Sequence, residues 1–381
     1  MKKKVEKFEI DSKFIEWSIT SSGWDKNLLR EKMKVSEKVF ISWFKGIAKI
    51  TLNQLRDLAK RTKRPIASFF LAKIPEEKPM PKDYRLYPEQ IGKFDKKTVF
   101  AVRKARRLQD IVKNLMSNLY EERERKIREI KISESPIIIA EEIRNLFNLT
   151  EEKQKKFKNS YEFMKFLREK LEENNIFTFQ ISMPEEDARG FALSDEFPSI
   201  ATINSKDSIE ARIFTLMHEV GHLLLNNTGI SIPDFNSKNS VEKWCNEFSS
   251  NFLLPKEIAK RIFSERNEIL IESSTLKELS RKYKLSKNML LYNMAKLKFI
   301  TFKDYNNVLD RYKRIEDVIK QSEEKKTGGG IPAERKCLSE LGNKFISLVA
   351  ENTSRKNITY SDALSYLSIK SKSFNKLMKK I

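Results

Sequence analysis

Cysteine and histidine are nearly absent from this 381-residue chain, with two of each. Cys245 and Cys337 lie far apart in the sequence, so neither a disulfide framework nor a zinc site built from cysteine alone can form within one chain. Glycine is sparse as well, at ten residues, three of them together at Gly328, Gly329 and Gly330. No stretch reaches the roughly 18 apolar residues of a membrane span. The charged start Met1–Ile10 lacks the apolar run of a signal peptide, so a soluble, cytoplasmic protein without membrane attachment is expected. No repeat of solenoid period is present.

Positive charge is abundant: 75 Lys and Arg against 53 Asp and Glu leave a net charge of +22. That excess draws a protein toward polyanions, DNA first among them, but a lysine-rich, well-solvated surface gives the same count. The length predicts two or three folded units. Apolar-periodic segments at 11–20, 25–33, 36–45 and 52–62, followed by Pro65 and the apolar run Ile66–Leu71, predict a small helical bundle over 1–73. Pro75, Pro79, Pro81 and Pro88 among charges make 74–95 an extended linker. Helix is expected from Lys96 to Lys131, where Arg103, Lys104, Arg106 and Arg107 form either a phosphate contact or a solvated face.

Further helices are predicted at 138–147 and 160–173, and short strands at Ile176–Phe179 and Ile200–Ile203 with Arg189-Gly190-Phe191 between them. Helices return at 208–226, 240–252, 256–265, 275–283 and 287–296. Residues 96–319 therefore read as one domain with a small sheet, 320–332 as a flexible hinge and 333–381 as a last helical segment. The fold class is α+β and mostly α-helical.

The strongest chemistry lies in Phe214–Leu225, which carries His218-Glu219-Val220-Gly221-His222. On a helix, residues four apart share a face, so both imidazoles can point at one ion while Glu219 reaches a water bound to it. Zinc is the expected metal. These are the only histidines of the chain, and chance placement gives this arrangement on the order of one time in a thousand. The bland alternative, two core histidines, leaves buried imidazoles to be satisfied. A hydrolytic site needs a third protein ligand. In Val241–Phe248, Glu242 and Asn246 share a face, making Glu242 the candidate ligand and Asn246 its support; Glu247 points elsewhere, and Cys245 either competes as ligand or fills core space.

Arg189-Gly190-Phe191, Ile200-Ala201-Thr202-Ile203-Asn204, R-x-F-T-x-x-H-E-x-G-H from Arg212 and E-x-x-C-N-x-F from Glu242 resemble the ImmA/IrrE family of metallopeptidases over about 138–255. Cys245 stands where that family usually has Ala. The resemblance implies a zincin-like domain and a zinc endopeptidase, with Glu219 catalytic, that cuts a partner transcriptional repressor. Similarity extends to the architecture in which such a peptidase follows an Xre-like helix-turn-helix. Leu28, Leu29 and Met33, the Val35-Ser36 cap, Trp43 and Gly46 fit that module, and the resemblance makes Lys38, Ser42 and Lys45 candidates to face DNA. A helical platform for a dimer or another partner fits the same segments.

Two functions compete. One is the metallo-endopeptidase, with the amino-terminal domain binding DNA or targeting the enzyme. The other is a non-catalytic, antitoxin-like DNA-binding regulator in which zinc holds the central domain together, with Cys245 as closing ligand.

Overall fold

The structure, a computed structural model, describes residues 6–84, 92–119, 126–233, 237, 239–266, 270–311 and 331–379. The chain is mostly helical with small sheets and divides into two compact units, Met1–Met80 with Gly92–Lys104, and Pro81–Ile91 with Ala105–Ile381.

The first unit is not purely helical, contrary to expectation. Strand β1, Lys7–Asp11, pairs antiparallel with β2, Ile47–Thr51, from Lys7 opposite Thr51 to Asp11 opposite Ile47. Ala48 and Ile50 alternate inward while Ile47 and Lys49 stay exposed, a period of two too short to stand out between helical segments. Helices α1 (Ser12–Thr20), α2 (Lys26–Met33), α3 (Glu37–Ser42) and α4 (Leu52–Thr62) pack on this ribbon. Their starts are chemically defined: Asp25 accepts from the Leu28 amide at 2.8 Å, and Thr51 with Gln54 forms a capping box. Trp43, Leu29, Leu55, Leu58 and Ile15 are fully buried in its core. Helix α3 ends three residues earlier than predicted, before the turn at Gly46 with φ +68°.

A third strand, β3 (Lys82–Asp83), belongs to the sheet of the second unit, so the 74–95 stretch is not wholly a linker; residues 85–91 of it lie outside those described. Helix α5 (Lys96–Asn118) supplies its first residues to the first unit and the rest to the second. It stops short of the predicted Lys131. Residues 126–131 run irregularly, burying Ile127 and Ile130, and Ile130 donates its amide to the Leu224 carbonyl at 2.8 Å.

The second unit continues with α6 (Pro136–Leu146), α7 (Glu151–Lys156) and α8 (Ser160–Glu173), then β4 (Ile176–Ile181), β5 (Gly190–Leu193) and β6 (Ser199–Asn204). Helix α9 (Ile209–Leu224), β7 (Gly229–Ser231) and α10 (Ser240–Leu253) follow, and then α11 (Lys256–Ser264), α12 (Ser273–Tyr283) and α13 (Lys287–Lys296). The five-stranded sheet has the order β3-β7-β5-β6-β4; β4–β6 and β3–β7 are parallel, β5–β6 and β5–β7 antiparallel. Every residue of β4, β5, β6 and β7 is buried, which is why these strands read as apolar runs.

The last region forms four helices, α14 (Ala333–Leu341), α15 (Asn343–Ser354), α16 (Tyr360–Leu367) and α17 (Ser371–Met378). It is tied to the β4 side: Arg168 and Gln180 both donate to the Ser339 carbonyl, at 2.7 and 2.8 Å, and Phe179 meets Phe345 edge-on. Residues 320–330 of the expected hinge lie outside those described. No described helix is long and apolar enough to cross a membrane.

Candidate metal centre

Helix α9 is capped by Ser208, which accepts from the Ala211 amide, and from Ile213 to Leu224 every residue is buried. His218, Glu219 and His222 have no exposed surface. Four residues apart on one face, the two imidazoles bring their Nε2 atoms to 3.2 Å of each other. Asn239 caps α10 by accepting from the Val241 amide at 2.9 Å, which sets Glu242 in its first turn. The Glu242 carboxylate, 1 % exposed, meets His218 Nε2 at 3.2 Å and His222 Nε2 at 3.0 Å.

Zinc bonds of about 2.0–2.1 Å to nitrogen place tetrahedral neighbours roughly 3.3 Å apart, close to these three separations. The three ligand atoms converge within 4.8 Å of one another, and no other described His, Cys, Asp or Glu joins them. Two imidazoles and a carboxylate, all buried, are therefore a donor set that fits zinc with one position left for another molecule. Asn246 faces His218 from the next turn of α10.

The electrostatics follow from burial against charge. Burial raises the Glu242 carboxyl, but His218 and His222 overcome this and hold it at about 2. Burial lowers His218, and the carboxylates of Glu242 and Glu219 reverse that into a rise; His222 stays lowered by burial and by His218 beside it. Glu219 is pushed up to about 8 by burial, against the pull of His218 and Ser231. Its Oε1 accepts from Ser231 Oγ at 2.5 Å, whereas Oε2 has no hydrogen-bond partner among the described residues.

Glycine at position 190 is a steric requirement of this arrangement. A Cβ there would lie 2.5 Å from Glu219 Oε1 and 2.7 Å from Thr215 Cγ2. On the opposite flank of α9, Gly221 lets α10 approach until Cys245 Sγ sits 3.1 Å from where a Cβ would be. Cys245 is buried in that contact, its thiol pushed well up by burial, and is not among the converging ligand atoms. Glu247 turns away to pair with Lys296 and accept from Asn251.

Three groups at the site were not picked out from the sequence. Ser231 lies on a three-residue strand too short for a periodic signal, and Gly190 figured only as part of a motif. Tyr84 sits in the proline-rich stretch: its ring lies 5.3 Å from that of His222, tilted by 31°, and its hydroxyl donates to Asn227 Oδ1 at 2.6 Å.

Lys38, Ser42 and Lys45 are exposed, but Lys45 lies beyond the end of α3, and Ser42 donates its hydroxyl to the Val39 carbonyl at 2.6 Å. Val39 and Ile41 are also exposed on α3, so the surface is mixed rather than basic. The arginine cluster is largely engaged within the chain. Arg103 donates to the Thr62 and Lys63 carbonyls, and burial lowers it to about 10; Arg106 pairs with Asp195 at 2.5 Å and Arg107 donates to Ser365 Oγ.

Residues 171–295 match the family model for the IrrE N-terminal-like domain, Peptidase_M78, a segment running from the end of α8 to α13 and holding the whole ligand cluster. No curated protein matches the chain. The match makes this segment similar to a metallopeptidase-type domain.

Proposed function

We propose that this chain is a zinc-dependent metallo-endopeptidase acting in transcriptional regulation, cleaving a partner repressor, with its amino-terminal unit binding DNA or targeting the enzyme. The observation that carries the reading is the convergence of His218, His222 and Glu242 around one point with Glu219 held alongside by Ser231. Zinc held by the two imidazoles and the Glu242 carboxylate would polarise a peptide carbonyl and lower the pKa of a bound water toward about 7.

The rest falls to the chain itself. Glu219 takes a proton from the attacking water as its oxygen bonds to the carbonyl carbon. It returns that proton to the amide nitrogen as the C–N bond breaks, so the carboxylate is restored after each turnover. Ser231 engages Oε1 and leaves Oε2 for the water. Asn246, beside His218, is the candidate support of that ligand.

A structural-zinc regulator remains the second reading, favoured by the complete burial of the cluster. Against it stands the absence of a fourth protein ligand among the described residues. The test is Glu219→Gln in zinc-loaded protein incubated with repressors encoded near its gene. Metal content and thermal stability should stay at wild-type level while cleavage falls about a hundredfold to ten-thousandfold. Wild type that cuts no candidate repressor, and merely unfolds when zinc is removed, would establish the structural role instead.

A further inference from the structure

The ligand cluster and Glu219 have at most 1 % exposure, so a peptide cannot reach them in the conformation described. Part of what closes the site is a short segment of the same chain. Lys82 and Asp83 pair with Gly229 and Ile230 in parallel, and the Tyr84 amide donates to the Ile230 carbonyl at 3.0 Å. This places a strand on the β7 edge, the edge that also carries Ser231, the partner of Glu219. Tyr84, 5 % exposed, lays its ring over His222 and anchors its hydroxyl on Asn227. Gly229 is matched to that ring, because a Cβ there would run into Tyr84 Cδ2 and Cε2.

Two hydrogen-bonded residues are a weak strand, readily exchanged for another extended chain at a sheet edge. The position of the segment in the chain adds a handle. The first unit ends its first stretch at Met80 and resumes at Gly92, so the segment is tied at both ends to that unit.

Building on the peptidase reading of the site, we infer that Pro81–Tyr84 is an intrachain strap that covers the candidate metal centre and must leave the β7 edge before a peptide can reach His222 and Glu219.

The test uses metal-free full-length protein and carbethoxylation of its only two histidines, read by mass spectrometry, so neither zinc nor activity enters the readout. Tyr84→Ala removes the ring and the hydroxyl bond, and Gly229→Val ejects the ring with Tyr84 intact. Each should speed modification of His222 by about tenfold or more, the combined effect of one hydrogen bond and ring packing. Tyr84→Phe keeps the packing and should stay within a few-fold of wild type.

Wild type alone supplies a second measurement that needs no variant to fold. Hydrogen exchange at the Tyr84 amide and carbethoxylation of His222 should report the same opening. His222 modified much faster than that amide exchanges, or equally fast in wild type, Tyr84→Ala and Gly229→Val, would overturn the strap. Protein that binds zinc and cleaves a repressor, yet shows no strap dependence, loses this inference and keeps the peptidase. Protein with a protected His222 but no zinc uptake keeps the strap and loses the peptidase.

Discussion

Replacing Gly190 by alanine puts a methyl group where two side chains of α9 already sit. The new Cβ would stand 2.5 Å from Glu219 Oε1, 2.9 Å from Glu219 Cγ and 2.7 Å from Thr215 Cγ2. Ordinary contacts are about 3.5–4.0 Å between carbons, so atoms must separate by roughly 1 Å. Glu219 can yield only by giving up the 2.5 Å bond from Ser231. Overpacking of this kind costs about 1–3 kcal/mol, a measurable drop in melting temperature. The larger effect falls on catalysis, because misplacing a reacting group by about 1 Å can cost about a hundredfold. The three atoms nearest the new methyl belong to Glu219 and Thr215 and to none of His218, His222 and Glu242, so zinc stoichiometry should stay at one per chain. The assay compares cleavage of a repressor by wild type and Gly190→Ala at equal zinc loading, measured by elemental analysis, with circular dichroism to check folding. Folded, zinc-replete Gly190→Ala that cleaves within a few-fold of wild type would refute the claim that Glu219 works from the position β5 and β7 give it.

Glu242→Gln exchanges a charged ligand for a poor neutral one, so zinc affinity and cleavage should fall together in a chelator competition, about tenfold to a hundredfold at the least. Glu247→Gln loses only a pairing with Lys296 remote from the ligands and should leave both near wild type; equal losses in the two variants would misplace the third ligand. In salt titrations by fluorescence anisotropy, the full-length protein should bind duplex DNA with an affinity that falls steeply as salt rises. Lys38→Ala and Lys45→Ala should each weaken binding and lessen the salt slope by about one, and unchanged titrations would make the first unit a protein platform.

Much of the scaffold was readable because its signals are local. The helices at 160–173 and 240–252 announce themselves through apolar spacing within a few residues, and their observed bounds, Ser160–Glu173 and Ser240–Leu253, differ little from those expected. The ribbon of the first unit was missed because β1 and β2 are five residues each and gain their hydrogen bonds only from a partner some forty residues away.

The same distinction runs through the site. Sequence by itself placed His218 and His222 on one helix face with Glu219 next to the first of them, and Glu242 with Asn246 on another, since a spacing of four fixes direction on any α-helix. Only tertiary structure decided that Glu242 meets both imidazoles while Cys245, three residues on, packs against Gly221. It likewise decided that Ser231 holds Glu219 and that Tyr84 covers His222 from a strand paired about 145 residues away. Those contacts arise from the packing of a helix against a sheet edge, where close approach depends on glycines at 190, 221 and 229 and on pairing partners that local periodicity does not encode.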